Sequence, residues 1–146
     1  MPPEYRWFFD LRREQQHAEM KKFALDKQVD YYLVGMTYVH PPRMGLADDI
    51  AMQGKNAVPY LIARLRNEKE DYKRAHLIYV FTTMSLLHYD LRDDKEVIRV
   101  LTETVATMKD PWKQRSQNNL KEILDGQVGD PEKALEEMKD ALQGSK

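Results

Sequence analysis

Histidines and paired aspartates are the residues of this sequence whose side chains could support acid–base or metal chemistry. The histidines are His17, His40, His76 and His88, and the aspartate pairs are Asp48-Asp49 and Asp93-Asp94. No His-Glu-x-x-His motif occurs, so the sequence lacks the two histidines, one helical turn apart, that many zinc hydrolases use. Adjacent residues on a helix point about 100° apart, so neither aspartate pair converges on one atom unaided. Residue type and spacing therefore predict no catalytic residue and no metal site.

Structural roles account for these residues more simply. His17 lies in a polar stretch, where we expect it to be solvated, and His40 precedes the Pro41-Pro42 turn. His88 falls at the expected end of a helix, where the helix dipole favours an imidazolium. Asp93-Asp94 come directly before an apolar periodic segment and are expected to cap its helix.

Composition excludes several other classes of chemistry. The absence of cysteine removes disulfides, thiolate metal sites and cysteine nucleophiles. Gly54-Lys55-Asn56 lacks the spaced glycines and the Lys-Ser/Thr ending of a phosphate-binding loop, and no Gly-x-Ser-x-Gly motif occurs. The 24 acidic residues nearly balance the 23 lysines and arginines, so no overall field attracts nucleic acid or anionic lipid. We predict no cofactor.

The sequence also indicates where the protein is expected to reside. No stretch approaches the roughly 18 apolar residues that a transmembrane helix requires. The start, Met1-Pro2-Pro3-Glu4, lacks the basic segment and apolar core of a signal peptide. We therefore expect a soluble chain, either cytoplasmic or the leaderless mature form of an exported domain.

A mixed aromatic and polar strip is the most informative feature for function. Tyr72, His76 and Tyr79 recur at helical spacing along a segment that is otherwise apolar over most of its circumference. Comparable residues occur 40 positions earlier, at Tyr32, and 40 positions later, at Trp112. The predicted partner-binding face consists of Tyr32, Tyr72, Lys73, His76, Tyr79, Trp112, Lys113 and Asn119. The alternative is that the large aromatic residues pack between neighbouring repeats.

The elements that must position this face are predicted helical hairpins. Tyr32, Tyr72 and Trp112 each begin a segment that reads as the second helix of a hairpin, and this 40-residue period is typical of stacked two-helix repeats. Apolar residues keep the same register, with Leu101 lying 40 positions after Leu61. The predicted hairpins span about 14–40, 56–88 and 95–125, with an insertion at 43–54 that contains a short apolar helix over 46–52. A C-terminal helix is predicted at about 131–142.

Helix boundaries follow from residues that cap a helix or interrupt it. Asp26, Asn56 and the pair Asp93-Asp94 are expected to cap helix starts, and Asp110 is expected to cap a helix that has Pro111 at its first position. His40-Pro41-Pro42 must end the helix before it, because the residue preceding a proline avoids the helical region.

The segment from Gly54 to Leu65, followed by a polar turn and a second apolar helix, resembles the opening of a HEAT repeat. The resemblance covers about residues 54–125 and extends more weakly back to residue 14. The second unit departs from the pattern, because Arg99 replaces the proline and Arg115 stands where a small residue is expected. The resemblance implies a right-handed stack of antiparallel helices with a protein-binding role. We therefore expect an all-α protein, a single short HEAT-like solenoid domain over residues 1–146.

Three functional hypotheses remain open from sequence. The first is a non-catalytic protein- or peptide-binding helical-repeat module. The alternative is a phosphate- or nucleic-acid-binding HEAT-like module, in which Lys73, Arg74, Lys113 and Arg115 would contact phosphates and the aromatic residues would stack on bases. The third is an enzyme whose site is not recognisable from spacing. The first is the prediction, because Glu68, Glu70 and Asp71 dilute the positive field.

Overall fold

The computed structural model describes residues 1–126, and every regular element within them is helical, so the prediction of an all-α protein is confirmed. Eight α-helices and two short 3₁₀ turns, Pro3–Tyr5 and Gly54–Asn56, make up this part of the chain. The helices are α1 (Arg6–Phe9), α2 (Arg13–Met20), α3 (Leu25–Tyr38), α4 (Leu46–Ala51), α5 (Val58–Asn67), α6 (Asp71–Leu87), α7 (Lys95–Ala106) and α8 (Trp112–Asp125). None of them combines the length and the apolarity that crossing a membrane requires. The predicted helix at 131–142 lies outside the described residues.

The centre of the core is α6, which packs against α3, α4, α5 and α8. Its buried residues include Leu77, Ile78, Val80 and Phe81, which together face several directions around the helix. This distribution explains why the sequence of α6 is apolar over most of its circumference. A second layer forms where α5 packs against α7 and buries Leu61 and Leu101.

The predicted insertion does not project from the molecule. Its helix α4 packs against α2, α3 and α6, and its residues Leu46, Ala47, Ile50 and Ala51 are completely buried. Burial of these side chains is the main stabilising contribution of a helix this short, since six residues are too few to be helical on their own. As a result α4 is held among α2, α3 and α6.

Three of the four predicted N-cap positions, Asp26, Asn56 and Asp110, are wrong. Ala24, not Asp26, is the N-cap of α3, and Asn56 ends a 3₁₀ turn, one residue before the N-cap of α5. Asp94 does cap α7, where its Oδ1 accepts a hydrogen bond of 3.1 Å from the Val97 N–H. Asp110 lies one residue before the N-cap of α8, and its Oδ1 accepts from the Gln114 N–H at 3.2 Å.

Candidate functional site

Four residues of the predicted face line one groove between α6 and α8, which we call the α6/α8 groove. His76 and Tyr79 come from α6, and Trp112 and Asn119 come from α8. The groove encloses about 220 Å³. Its remaining lining residues come from α3, from the segment before α4, and from the same two helices; they are Met36, Pro42, Met44, Ala75 and Arg115.

The register between α6 and α8 is fixed by packing and by one hydrogen bond. Small buried residues, Ala75 on α6 and Ser116 on α8, leave room for close approach of helices. The buried Thr82 Oγ1 donates to the Asn119 carbonyl at 3.1 Å, which joins the backbone of α8 to α6. The position of Asn119 beside the groove is therefore set by the core.

A cluster of three rings lies beside the groove, and two of them, His76 and Trp112, line it. The Tyr72 ring centroid lies 6.3 Å from that of His76 and 6.4 Å from that of Trp112, and the His76 and Trp112 centroids are 5.6 Å apart. The Arg115 guanidinium lies 5.1 Å from the Trp112 ring centroid, within cation–π range. The three rings pack on one another, yet each remains partly accessible. His76 and Trp112 therefore serve both as packing residues of adjacent helices and as part of the groove wall, whereas Tyr72 packs near both rings without lining this groove.

The electrostatics of the groove keep His76 neutral. Burial and, to a smaller extent, the positive charge of Arg115 together lower the pKa of His76 to about 4. At neutral pH the ring therefore has one N–H donor and one nitrogen acceptor. No acidic residue is among the described residues that line the groove.

Polar groups of the groove remain available to a ligand. Three lining residues accept side-chain hydrogen bonds within residues 1–126, and in each case the acceptor is the backbone carbonyl. The His76 carbonyl accepts from Tyr32, that of Tyr79 from Thr83 at 3.0 Å, and that of Asn119 from Thr82. The His76 imidazole, the Tyr79 hydroxyl and the Asn119 amide are left without a partner in this part of the chain. They are therefore free to orient a bound segment.

The other predicted face residues lie elsewhere. Tyr32 is completely buried between α3 and α6, and its hydroxyl donates to the His76 carbonyl at 2.8 Å, so it is a core residue. Tyr72 and Lys73 line a second groove of about 280 Å³, which also contains Arg64 and which we call the Arg64 groove. Lys113 is half-buried and lines neither groove. The predicted face is thus divided among four places: the α6/α8 groove, the core, the Arg64 groove and the surface at Lys113.

Pro42 and Met44 are the lining residues that sequence reasoning missed entirely. Met44 belongs to the insertion and Pro42 directly precedes it, so their position depends on how α4 packs against α6. The apolar sequence of α4 was a signal that this segment must be buried somewhere. It contained no information about which surface would receive it.

Asp48 and Asp49 join α4 to two other parts of the chain. Asp49 Oδ2 lies 2.6 Å from His17 Nδ1 of α2, and Asp48 Oδ1 lies 2.6 Å from Nε2 of His88, the residue after α6. The expectation of a freely solvated His17 is therefore wrong, because its ring is paired with a buried carboxylate. Burial raises the pKa of Asp49, and the hydrogen bond from His17 opposes that shift. The two carboxylates contact different histidines, and no group of three such side chains within residues 1–126 could hold a metal ion.

Comparison with known proteins adds no assignment. A scan against protein-family models finds no match, and searches of curated proteins and of solved structures find none either.

Proposed function

We propose that this protein is a non-catalytic helical-repeat module that binds a protein or peptide segment in the α6/α8 groove. The observation that carries the proposal is the lining of this groove, in which accessible aromatic and methionine side chains surround polar groups that have no partner within the described chain. Aromatic residues supply contact area at protein interfaces, and a few polar groups fix orientation.

The dimensions of the groove favour a segment of chain over a small molecule. Its volume of about 220 Å³ is below the roughly 300–1,000 Å³ of sites that enclose drug-sized ligands. A cavity of this size suits one or two side chains of a longer segment that continues across the surface. Met44, which lines the groove and is 47% exposed overall, offers a flexible apolar contact for such a segment.

Contacts between like helices of two successive hairpins support the same function. The helix pairs α5/α6 and α7/α8 follow each other in sequence, and like helices are neighbours, with α5 against α7 and α6 against α8. Contacts between equivalent helices are what stacked hairpins produce. In such an array the second helices α6 and α8 form one continuous binding surface.

The proposal is tested by affinity capture from native extract with wild-type protein and two matched variants. Tyr79→Ala removes a ring from the α6/α8 groove, and Tyr38→Ala removes one from the Arg64 groove. A specific partner should be captured by the wild type and by Tyr38→Ala. Tyr79→Ala should weaken its affinity by about 30-fold, the loss typical of an interface hot spot. Thermal midpoints of all three proteins must be measured in parallel.

Three results would contradict the proposal. The groove is not the binding site if folded Tyr79→Ala and Asn119→Ala variants capture every partner normally. A captured nucleic acid whose affinity falls steeply with salt would favour the phosphate-binding alternative. If the wild type turns over a substrate and Tyr79→Ala does not, the protein is an enzyme instead.

A further inference from the structure

We infer that the segment bound in the α6/α8 groove carries an acidic side chain next to an apolar one, with its carboxylate at Arg115. This inference rests on the proposed peptide-binding function and specifies the chemistry of the partner. The apolar side chain would pack against Met36 and Met44.

The first support is an uncompensated positive charge. Among the described residues that line the groove, Arg115 alone is charged at neutral pH. Six other arginines in residues 1–126 have acidic partners, among them Arg64 with Asp30 and Arg74 with Asp71, whereas Arg6, Arg13 and Arg43, like Arg115, have none there; of these four, only Arg115 lines the groove. No ion pair within the described chain includes Arg115. A carboxylate from a partner would supply the missing charge in the bidentate geometry that a guanidinium favours.

The second support is that Arg115 is held in position before a partner arrives. Its guanidinium lies over the Trp112 ring, and Trp112 in turn contacts His76 and Tyr72. A side chain that is already ordered loses less conformational entropy on binding. An acidic group can therefore bind at Arg115 with less loss of freedom than at an unsupported surface arginine.

The third support comes from the neutral polar groups beside Arg115. His76, Tyr79 and Asn119 can all donate hydrogen bonds, and none of them bears a negative charge that would repel a carboxylate. A basic side chain would meet Arg115 without an acidic residue to bind. Charge complementarity therefore favours an acidic partner over a basic one.

A carboxylate fits this site better than a polyanion does. Lys73 lies in the Arg64 groove and its Nζ is 3.0 Å from Glu70, so it adds no free charge to the α6/α8 groove. Nucleic-acid sites use several cations along a phosphate backbone. A single arginine flanked by apolar methionines instead matches one acidic residue within an otherwise apolar segment.

The experiment is a selection of displayed random dodecapeptides on immobilised full-length protein, followed by affinity measurements on synthetic peptides. Each selected peptide is made in two forms, one with its Asp and Glu residues and one with Asn and Gln in their place. We expect acidic residues beside Leu, Met or Phe to be enriched, and the amide forms to bind about tenfold more weakly.

Matched variants test whether the preference for acidic over amide peptides depends on Arg115. Arg115→Gln should remove the difference between the acidic and amide forms, and Arg115→Lys should restore part of it. Arg99→Gln, at an exposed arginine on α7 paired with Glu103, should leave the difference unchanged. Circular dichroism of each variant shows whether it is folded.

The outcomes separate this inference from the proposed function. Peptides that bind the groove equally well in both forms, or an unchanged preference in Arg115→Gln, would overturn the acidic partner while leaving peptide binding in place. A selection that yields no peptide whose binding depends on Tyr79 would overturn both. Phosphopeptides that bind more tightly than their carboxylate counterparts would also reject the carboxylate assignment.

Discussion

The two grooves of this molecule differ in how their charged residues are satisfied. In the Arg64 groove, Arg64 Nη2 lies 2.7 Å from Asp30 Oδ1, its Nη1 donates to the Tyr60 hydroxyl at 3.0 Å, and Lys73 is paired with Glu70. In the α6/α8 groove, Arg115 has no acidic partner within residues 1–126. The two volumes are similar, about 280 and 220 Å³. Both cations that line the Arg64 groove thus have acidic partners, although its Glu4 forms no ion pair within residues 1–126, so charge pairing of the cations, more than size, distinguishes the two grooves.

The largest expected effect is on the free energy of unfolding and concerns Tyr32, a core residue whose helix contributes to both grooves. Tyr32 lies on α3, which also contributes Met36 to one groove and Leu33 to the other. Tyr32→Ala should lower the free energy of unfolding by about 3–5 kcal/mol, because a completely buried ring would leave a cavity. Urea denaturation followed by circular dichroism measures this change.

Tyr32→Phe is the matched control, since it keeps the ring and removes only the hydroxyl that contacts the His76 carbonyl. Its cost should be about 1 kcal/mol. An unchanged unfolding midpoint in Tyr32→Ala would show that the ring is not part of the core that supports the two grooves.

The next largest effect is a pH dependence of stability that arises from His76 in the α6/α8 groove. The pKa of His76 falls from its usual 6.5 to about 4 on folding, so the unfolded chain binds more protons between these values. Its contribution to stability is therefore complete above pH 6.5 and is lost as the pH falls towards 4. Since the ring is partly exposed, we expect wild type to lose about 1–2 kcal/mol more than His76→Gln over this range. Parallel denaturation curves at pH 7 and pH 4.5 test this difference.

A second measurement determines the pKa of the His76 ring directly. In Arg115→Gln the pKa of His76 should move up from about 4, because one of the two causes of its depression is removed. NMR titration of the imidazole detects this shift. Parallel pH dependence of stability in wild type and His76→Gln would contradict a neutral, desolvated histidine in this groove.

The smallest expected effect is in the Arg64 groove. The Arg64 and Asp30 side chains are 27% and 43% exposed, so their ion pair should contribute less than about 1 kcal/mol. A double-mutant cycle with Arg64→Gln and Asp30→Asn measures this coupling. Neither variant should change the affinity for a captured partner. A loss of affinity in Arg64→Gln that matched the loss in Tyr79→Ala would remove the distinction between the two grooves.

Sequence patterns predicted the helices well because the information is local. The apolar periodicity of α5 to α8 defines which residues face the core, and the Asp94 cap is recognisable from its neighbours. Asp26, Asn56 and Asp110 were mistaken for N-caps because neighbouring residues occupy that position instead. Whether the hairpins form a HEAT-like solenoid stays a prediction.

The candidate site was predictable only in part. His76, Tyr79, Trp112 and Asn119 share the helical and 40-residue spacing that identified them, and α6 and α8 bring them together. Tyr32 follows the same spacing, but the packing of α4 and α6 against α3 makes it a core residue. The contacts of Asp48 and Asp49 with histidines 40 and 32 residues away could not be read from sequence, because they depend on where the insertion packs.

Site-specific photo-crosslinking tests the central claim most directly, because it reports which groove touches the partner. One protein carries Asn119→p-benzoylphenylalanine in the α6/α8 groove, and the matched protein carries Tyr38→p-benzoylphenylalanine in the Arg64 groove. After irradiation in native extract, we expect a discrete adduct from position 119 that excess wild type suppresses and excess Tyr79→Ala does not. An adduct from position 38 with none from position 119, or no competed adduct from either, would contradict the account.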